Sequence, residues 1–358
     1  MRASLSTISF ILFNIYNIFL EIPKVLYDIF QKFKNKLWFI LMVEISVVVP
    51  IYNGIQYLEK LVNCLLDSTF KNLEILLIDD FSTDGSYEFL EKKVQNDIRF
   101  KLIRRDKKSG NAVSAVKYIL PYCKGKYFFY LSQDDFFDRD FLEKLYKKIK
   151  ESNADAVIPN MIWFKEEGKN NIILPPNNDY NYYLNGSEAF KLSLDWKIHG
   201  FSLRKIELLR EVGFDDSYFI GDEIATRIFY FKSKKITFCD TNFYYRIDNA
   251  NALTKMLRPN LVDFITGDLI LLNFIKNNYN KESLFLEYYD KTFKKTYKLL
   301  RNIKKRFNTL NQHEKEEFLH RLIQVEEEIF DIYINNQRRG KISWFKIKFY
   351  ISKLKKCY

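Results

Sequence analysis

Along this chain, runs of β-branched and aromatic residues alternate with stretches whose apolar positions recur every three or four residues. Ile45 to Val49 reads as a buried strand, and Leu58, Leu61, Val62, Leu65 and Leu66 behind it form the stripe of a helix. Leu73 to Ile78 predicts a second strand, followed by a turn at Ser82-Thr83-Asp84-Gly85 and a helix from Ser86 to about Gln95. Further strands are predicted at Arg99 to Arg104 and Lys126 to Leu131, with helices at Ala112 to Leu120 and Asp140 to Lys150. Such alternation predicts an α/β fold with a doubly wound, mostly parallel sheet.

After Asn153 the pattern loosens. Short strands are predicted at Ala156 to Pro159 and Ile162 to Lys165, then a turn-rich stretch around Pro175-Pro176. Helices follow at Ser187 to Leu194, Ile206 to Val212 and Gly221 to Phe231, with a strand at Lys235 to Cys239. Beyond Pro259 the chain reads as entirely helical and increasingly basic. The expected division is a hydrophobic N-terminal extension over 1–42, a catalytic domain over 43–258 and a helical, basic C-terminal region over 259–358.

Ala3 to Leu20 contains no charged residue and lies at the lower edge of the roughly 17 to 25 residues that cross a bilayer. Lys24, Lys32, Lys34 and Lys36 follow it, which would leave the rest of the chain in the cytoplasm. Met42, directly before the first strand, offers the other reading: an extension ahead of the domain. Both readings stand. A cleavable secretion signal is disfavoured by the single basic residue at the front and the lack of a small-x-small site before Glu21.

The formal charge of +12 is concentrated at the end, where the segment from Asp331 to Tyr358 carries eight lysines and arginines against one acid. Trp344, Ile347, Tyr350, Ile351 and Leu354 fall on one arc of a helical wheel with lysines around the remainder. This reads as an interfacial amphipathic helix for an anionic membrane surface, the alternative being a helix packed onto the rest of the protein. Nucleic acid is not an expected partner. Cys64, Cys123, Cys239 and Cys357 form no C-x-x-C pair, so reduced thiols in a cytosolic compartment are expected rather than a zinc site or disulfides.

Two acid pairs alter the picture. Asp79-Asp80 and Asp134-Asp135 each follow a predicted buried strand, and in an open α/β sheet the carboxyl ends of the strands border the ligand crevice. Neither G-x-G-x-x-G nor G-x-x-x-x-G-K-[ST] occurs, so the backbone-amide phosphate cradles are missing. A divalent cation on strand-end carboxylates would hold a diphosphate instead.

Val47-Val48-Val49-Pro50-Ile51-Tyr52-Asn53, Ile78-Asp79-Asp80-Phe81-Ser82-Thr83-Asp84-Gly85-Ser86 and Tyr130-Leu131-Ser132-Gln133-Asp134-Asp135 resemble, in order and spacing, the motifs of the family 2 glycosyltransferases, which have the GT-A fold. The resemblance covers Glu44 to Thr254. It implies an inverting transfer from a nucleotide-sugar donor, with UDP expected, to a glycan or lipid-linked acceptor. It also implies Mg or Mn as cofactor, and work at the inner face of the cell membrane in building surface polysaccharide. By the same resemblance Pro50, Tyr52 and Asn53 frame the nucleotide, Asp79 and Asp80 meet its base or ribose, Asp134 faces ribose or donor sugar and is a second metal candidate, and Asp135 ligates the metal. Asp84 reads better as a turn or helix-cap residue. Ser132 stands where the family's D-x-D motif has its first acid. Gly110 to Lys117 lacks the arginine often found there, leaving Lys117, Arg104 or Lys108 to meet the diphosphate.

Gly221-Asp222-Glu223 resembles the family's acidic E-D motif in reversed order, which makes Asp222 the first and Glu223 the second candidate for the base that takes the acceptor's proton. The competing reading is a pair of acids at a helix N-terminus, favoured by the dipole. Arg246 and Thr254 resemble the loop that folds over the donor diphosphate, and His199 reads as a structural histidine. Two other functions stay open: a sugar-phosphate nucleotidyltransferase, and a non-catalytic basic membrane-binding scaffold.

Overall fold

The computed structural model describes residues 43–167, 170–249, 256–279, 282–336 and 344–356. The segment ahead of Met42, Thr254 and Cys357 lie outside them. Among the described residues, no helix is long and apolar enough to cross a membrane.

The first half is laid down as its apolar pattern predicts. Strands β1 (Ile45–Ile51), β2 (Leu73–Asp79), β3 (Phe100–Arg104) and β4 (Tyr127–Tyr130) form parallel ladders in the order β3-β2-β1-β4. Between them run helices α1 (Ile55–Leu66), α2 (Ser86–Val94) and α3 (Ala112–Ile119). Val47, Val48 and Val49 are fully buried although they point alternately to opposite faces, because helices cover both sides of a parallel sheet. Leu58, Leu61, Val62 and Leu65 of α1 seal one face, and Val113, Ala115, Val116 and Ile119 of α3 seal the other.

The sheet continues through the short strand β5 (Phe136–Phe137), helix α4 (Phe141–Ser152) and strands β6 (Ala156–Phe164), β7 (Asn171–Ile173) and β8 (Tyr183–Leu184). Helix α5 (Gly186–Leu194), β9 (Leu203–Lys205), helices α6 (Ile206–Val212) and α7 (Gly221–Lys232), and strand β10 (Ile236–Arg246) complete it. The order is β3-β2-β1-β4-β9-β6-β10-β5, with β9 antiparallel to both its neighbours. The two short strands predicted at Ala156 to Pro159 and Ile162 to Lys165 are one strand, β6, and β10 runs past Cys239 to Arg246. The ladder shifts register between Cys239 and Asn242, beside Pro159. A proline has no amide to donate, and a bulge opposite it spares the lost bond.

From Asp263 the chain is helical: α8 (Asp263–Asn278), α9 (Glu282–Arg306), α10 (Gln312–Asn336) and α11 (Trp344–Lys355). These helices share a second core that takes in Phe190 and Leu194 of α5, so they are packed onto the sheet domain through apolar contact. Phe190 lies 5.3 Å from Phe274, and the Asp263 carboxylate accepts from Phe219 N at 2.7 Å while pairing with Arg321 at 3.1 Å. The face of α11 expected to meet a membrane is corrected here. Trp344, Ile347, Ile351 and Leu354 are buried in this core, so the arc assigned to a membrane faces the protein instead. Phe345 and Phe349 stand on its outer side, with Lys346, Lys348 and Lys353 exposed beside them.

Candidate active site at the carboxyl edge of the sheet

Because β1 pairs in parallel with both β2 and β4, the ends of all three emerge on one edge. Asp80 N donates to Ile51 O at 2.8 Å, and Leu131 N donates to Val48 O at 3.0 Å. Asp79-Asp80 and Asp134-Asp135 therefore flank the Pro50 to Asn53 turn.

That turn is held from three sides. The Gln133 carboxamide accepts from Tyr52 N at 2.8 Å and donates to Tyr52 O at 3.0 Å. Asn53, in the left-handed region at φ 46°, donates its amide to Ser82 Oγ at 3.0 Å and accepts from Thr83 N at 2.9 Å. Asp84 accepts from Ile55 N and from Ser86 N, both at 3.0 Å, as expected of a turn and cap residue. Gly54 is required by close approach, since a Cβ there would run into the Gln133 side chain.

Asp79 is fully buried and accepts from Ser82 N at 3.2 Å, with the Arg104 guanidinium 3.6 Å away. Asp80 accepts from Ser109 N at 2.9 and 3.0 Å and from Ser109 Oγ at 2.9 Å, and Arg105 lies at 3.8 Å. Its carboxylate thus anchors the loop after β3. Lys108, on that loop, donates to Tyr52 Oη at 2.7 Å and sits 4.2 Å from the centre of its ring. Of the cations named for the diphosphate, Lys117 is engaged with Asp216 at 2.6 Å, and Arg104 braces Asp79. Lys108 faces the Pro50 to Asn53 turn, and Arg105, which is not among those three, reaches the same edge at Asp80.

Asp135 is 1% exposed. Its Oδ1 accepts from Arg246 N at 2.8 Å, while Oδ2 is buried without a hydrogen-bond partner. Burial and the neighbouring Asp134 charge push its carboxyl well above the usual range. Asp134 accepts from Asn249 Nδ2 at 2.7 Å. Arg246 is no surface arginine. Its guanidinium pairs with Glu166 at 2.8 Å and Asp248 at 3.2 Å, and its Nε donates to Asp134 O at 3.2 Å, so it braces the acid pair from β10. Among the described residues no three acidic, histidine or cysteine side chains converge as a complete metal cage. Asp135 with Asp134 fits a hard cation that takes one or two carboxylates and fills its remaining positions from phosphate and water. The orphaned, desolvated Oδ2 is the atom a cation would satisfy.

Asp222 and Glu223 open α7, where Gly221 is required because a Cβ would run into Asp215 O. Burial, reinforced by the Glu223 charge, raises the Asp222 carboxyl to about 6 despite the favourable helix dipole. Glu223 is paired with Arg227 at 3.0 Å. Two tyrosines tie this pair to the strand-end acids. Tyr130 is raised by burial and by Asp222, Asp135 and Asp134. Tyr245 is raised by burial and by Asp135, Asp134, Glu223 and Asp222. Tyr130, which ends β4 just ahead of Asp134-Asp135, also lines one small cavity with Asp222 and Glu223. His199 is buried, donates Nε2–H to Pro159 O at 2.9 Å and is driven down to about 4 by burial, so it is neutral and structural at pH 7. Gln133, Ser109 and Tyr245 carry no signature of their own in the sequence. Gln133 matters through Tyr52, 81 residues away, and Ser109 through Asp80, 29 residues away.

The sequence pattern of glycosyl transferase family 2 matches residues 46–213. Glycosyltransferase GlyG of Streptococcus pneumoniae is 32% identical over 218 residues, covering 56% of this chain and 69% of that protein. The minor teichoic acid biosynthesis protein GgaB of Bacillus subtilis is 25% identical over 291 residues, covering 77% of this chain and 31% of GgaB. Among solved structures, S. aureus TarS 1-349 in complex with UDP-GlcNAc superposes with a TM-score of 0.61 at 17% identity, covering 80% of this chain and 81% of that one. That likeness shows the shared GT-A fold. With the motifs on one sheet edge and a relative of this identity matched over this length, the chain belongs to the family 2 glycosyltransferases.

Proposed function

We propose that this glycosyltransferase moves a sugar from a nucleotide-diphosphate donor, UDP, to a hydroxyl of a glycan or lipid-linked acceptor, with inversion at the anomeric carbon. The observation that carries the reading is the small cavity in which Tyr130, the last residue of β4 just ahead of Asp134-Asp135, lies alongside Asp222 and Glu223. The nucleotide lies against the Pro50 to Asn53 turn with Tyr52 beside its base, and Asp79 and Asp80 fix the wall around it. Asp80 does so by ordering the Ser109 loop that presents Lys108. Asp135 and Asp134 hold Mg or Mn, which when bound stabilises charge on the departing diphosphate. Asp222 takes the proton as the acceptor oxygen attacks, and a carboxyl near 6 is well matched to that task at neutral pH. Glu223 and Arg246 hold the neighbouring groups in place.

The teichoic acid relative and the basic, aromatic outer face of α11 support work on a surface polymer at the cytoplasmic side of an anionic membrane. A donor-hydrolysis screen across nucleotide sugars, with and without Mn, tests the assignment. Metal-dependent release of UDP is expected. With UTP and a sugar 1-phosphate supplied instead, release of pyrophosphate and formation of the nucleotide sugar would mark a nucleotidyltransferase, and no metal-dependent UDP binding by calorimetry would mark a non-catalytic scaffold.

A further inference from the structure

A cleft of about 390 Å³ lies between α7 and helices α8 and α9, and nothing in the donor site described above uses it. Its wall is largely apolar, with Ile224 and Phe264 among the lining residues, and Trp196, Glu223, Arg227 and Lys295 also face it. It adjoins a smaller cavity of about 80 Å³ that contains Asp222, and Trp196, Glu223 and Arg227 line both. The cleft therefore leads to the carboxylate proposed as base.

Trp196 is anomalous on two counts. It sits just past the end of α5 with φ 57°, a left-handed position that glycine usually fills and that strains a bulky side chain. The residue is also 45% exposed, so burial does not compensate. Strain that folding does not repay concentrates where a ligand uses it. The Arg227 guanidinium lies 5.6 Å from the indole centre, and its Nε is buried without a hydrogen-bond partner although Nη1 is bound to Glu223. Formal charges around the cleft are matched in pairs, Glu223 with Arg227 at 3.0 Å and Asp268 with Lys295 at 3.1 Å. An aromatic face, an unused donor and no net charge suit a neutral sugar: its axial C–H face lies on the ring and its hydroxyls meet the polar rim.

We propose that this cleft is the acceptor subsite, and that it takes a neutral pyranose glycoside stacked on Trp196, with a ring oxygen or hydroxyl accepting from Arg227 Nε. The direction of the acceptor toward Asp222 rests on the glycosyl-transfer reading. The binding of a sugar does not. The C-terminal helices thereby form one wall of the substrate site.

Saturation-transfer NMR on the full chain with octyl β-D-glucoside below its micelle concentration tests this, with a separate UDP titration reporting on the donor site. Transfer to the sugar-ring protons is expected in the wild type and in Trp196→Phe. A loss of about fivefold to tenfold is expected in Trp196→Gly, the change that follows when one aromatic stacking contact goes. Because glycine relaxes the left-handed position, Trp196→Gly should melt no lower than the wild type, which separates a binding role from a structural one. Transfer confined to the octyl protons would overturn the proposal in favour of a lipid chain. Absent ring transfer, or equal transfer in Trp196→Gly, would overturn it outright. Failure of the UDP titration alone would count against the donor assignment and leave the sugar result to be read independently.

Discussion

The Gln133 side chain binds the backbone of Tyr52 through both its carbonyl and its amide, at 2.8 and 3.0 Å, clamping the loop that carries Asp134 and Asp135 to the turn after β1. Two separate stretches of chain, 81 residues apart, thus move as one unit. Truncation to Gln133→Ala should cost about 1 to 3 kcal/mol for the two lost bonds and the stranded polar groups. It should also weaken UDP binding, because the turn is no longer registered against the acids. Chemical denaturation and calorimetry check the two effects separately.

With Asp222 as the proposed base, its carboxyl, raised to about 6, is expected to set the pH profile. A base works deprotonated, so kcat/KM should rise with pH through about 6 and level off above it. Asp222→Asn should abolish transfer and leave UDP binding intact. Since the folded state holds this proton more tightly than the unfolded state, native stability contributed at this site falls as pH rises from about 4 through 6. The asparagine variant should lose that dependence and be the more stable protein at pH 7. Retention of full transfer by Asp222→Asn would remove the base assignment.

Asp135 is a buried carboxylate with one unpartnered oxygen, raised by burial and by Asp134. Without a cation its charge opposes folding. In EDTA, Asp135→Asn should therefore be more stable than the wild type, by about 1 to 3 kcal/mol. Manganese should raise the wild-type melting temperature and leave the variant unmoved. A wild type indifferent to manganese, both alone and with UDP, would argue against a metal at these acids.

Helix α11 distinguishes a packed face from an exposed one. Ile351 is fully buried in the helical core, so Ile351→Ala should cost about 2 to 4 kcal/mol. Phe345 is 73% exposed, and Phe345→Ala should change stability by no more than about 0.5 kcal/mol while lowering binding to anionic vesicles. Denaturant titration reads the first effect and vesicle sedimentation the second.

Much of this was legible in the residues. The strands β1, β2 and β4 are local apolar runs, and their parallel pairing follows from the helices between them, so both acid pairs had to emerge on one edge. The roles of α11 and Arg246 were not legible. An amphipathic arc looks the same whether it meets a membrane or another helix, and only the packing of Ile347 and Ile351 against the core decides between them. The motif marks Arg246 as a candidate phosphate ligand, and only the fold shows its ion pairs with Glu166 and Asp248.

By itself the sequence determined the fold and the family, and it put acids at the ends of β2 and β4, because these rest on short-range periodicity and on motifs a few residues long. Tertiary structure alone decided which side chains brace those acids, which cations are held in ion pairs, and that the C-terminal helices wall a cleft with α7. Those depend on contacts between residues distant in the chain, where burial and pairing, which no local pattern encodes, set each group's charge and availability.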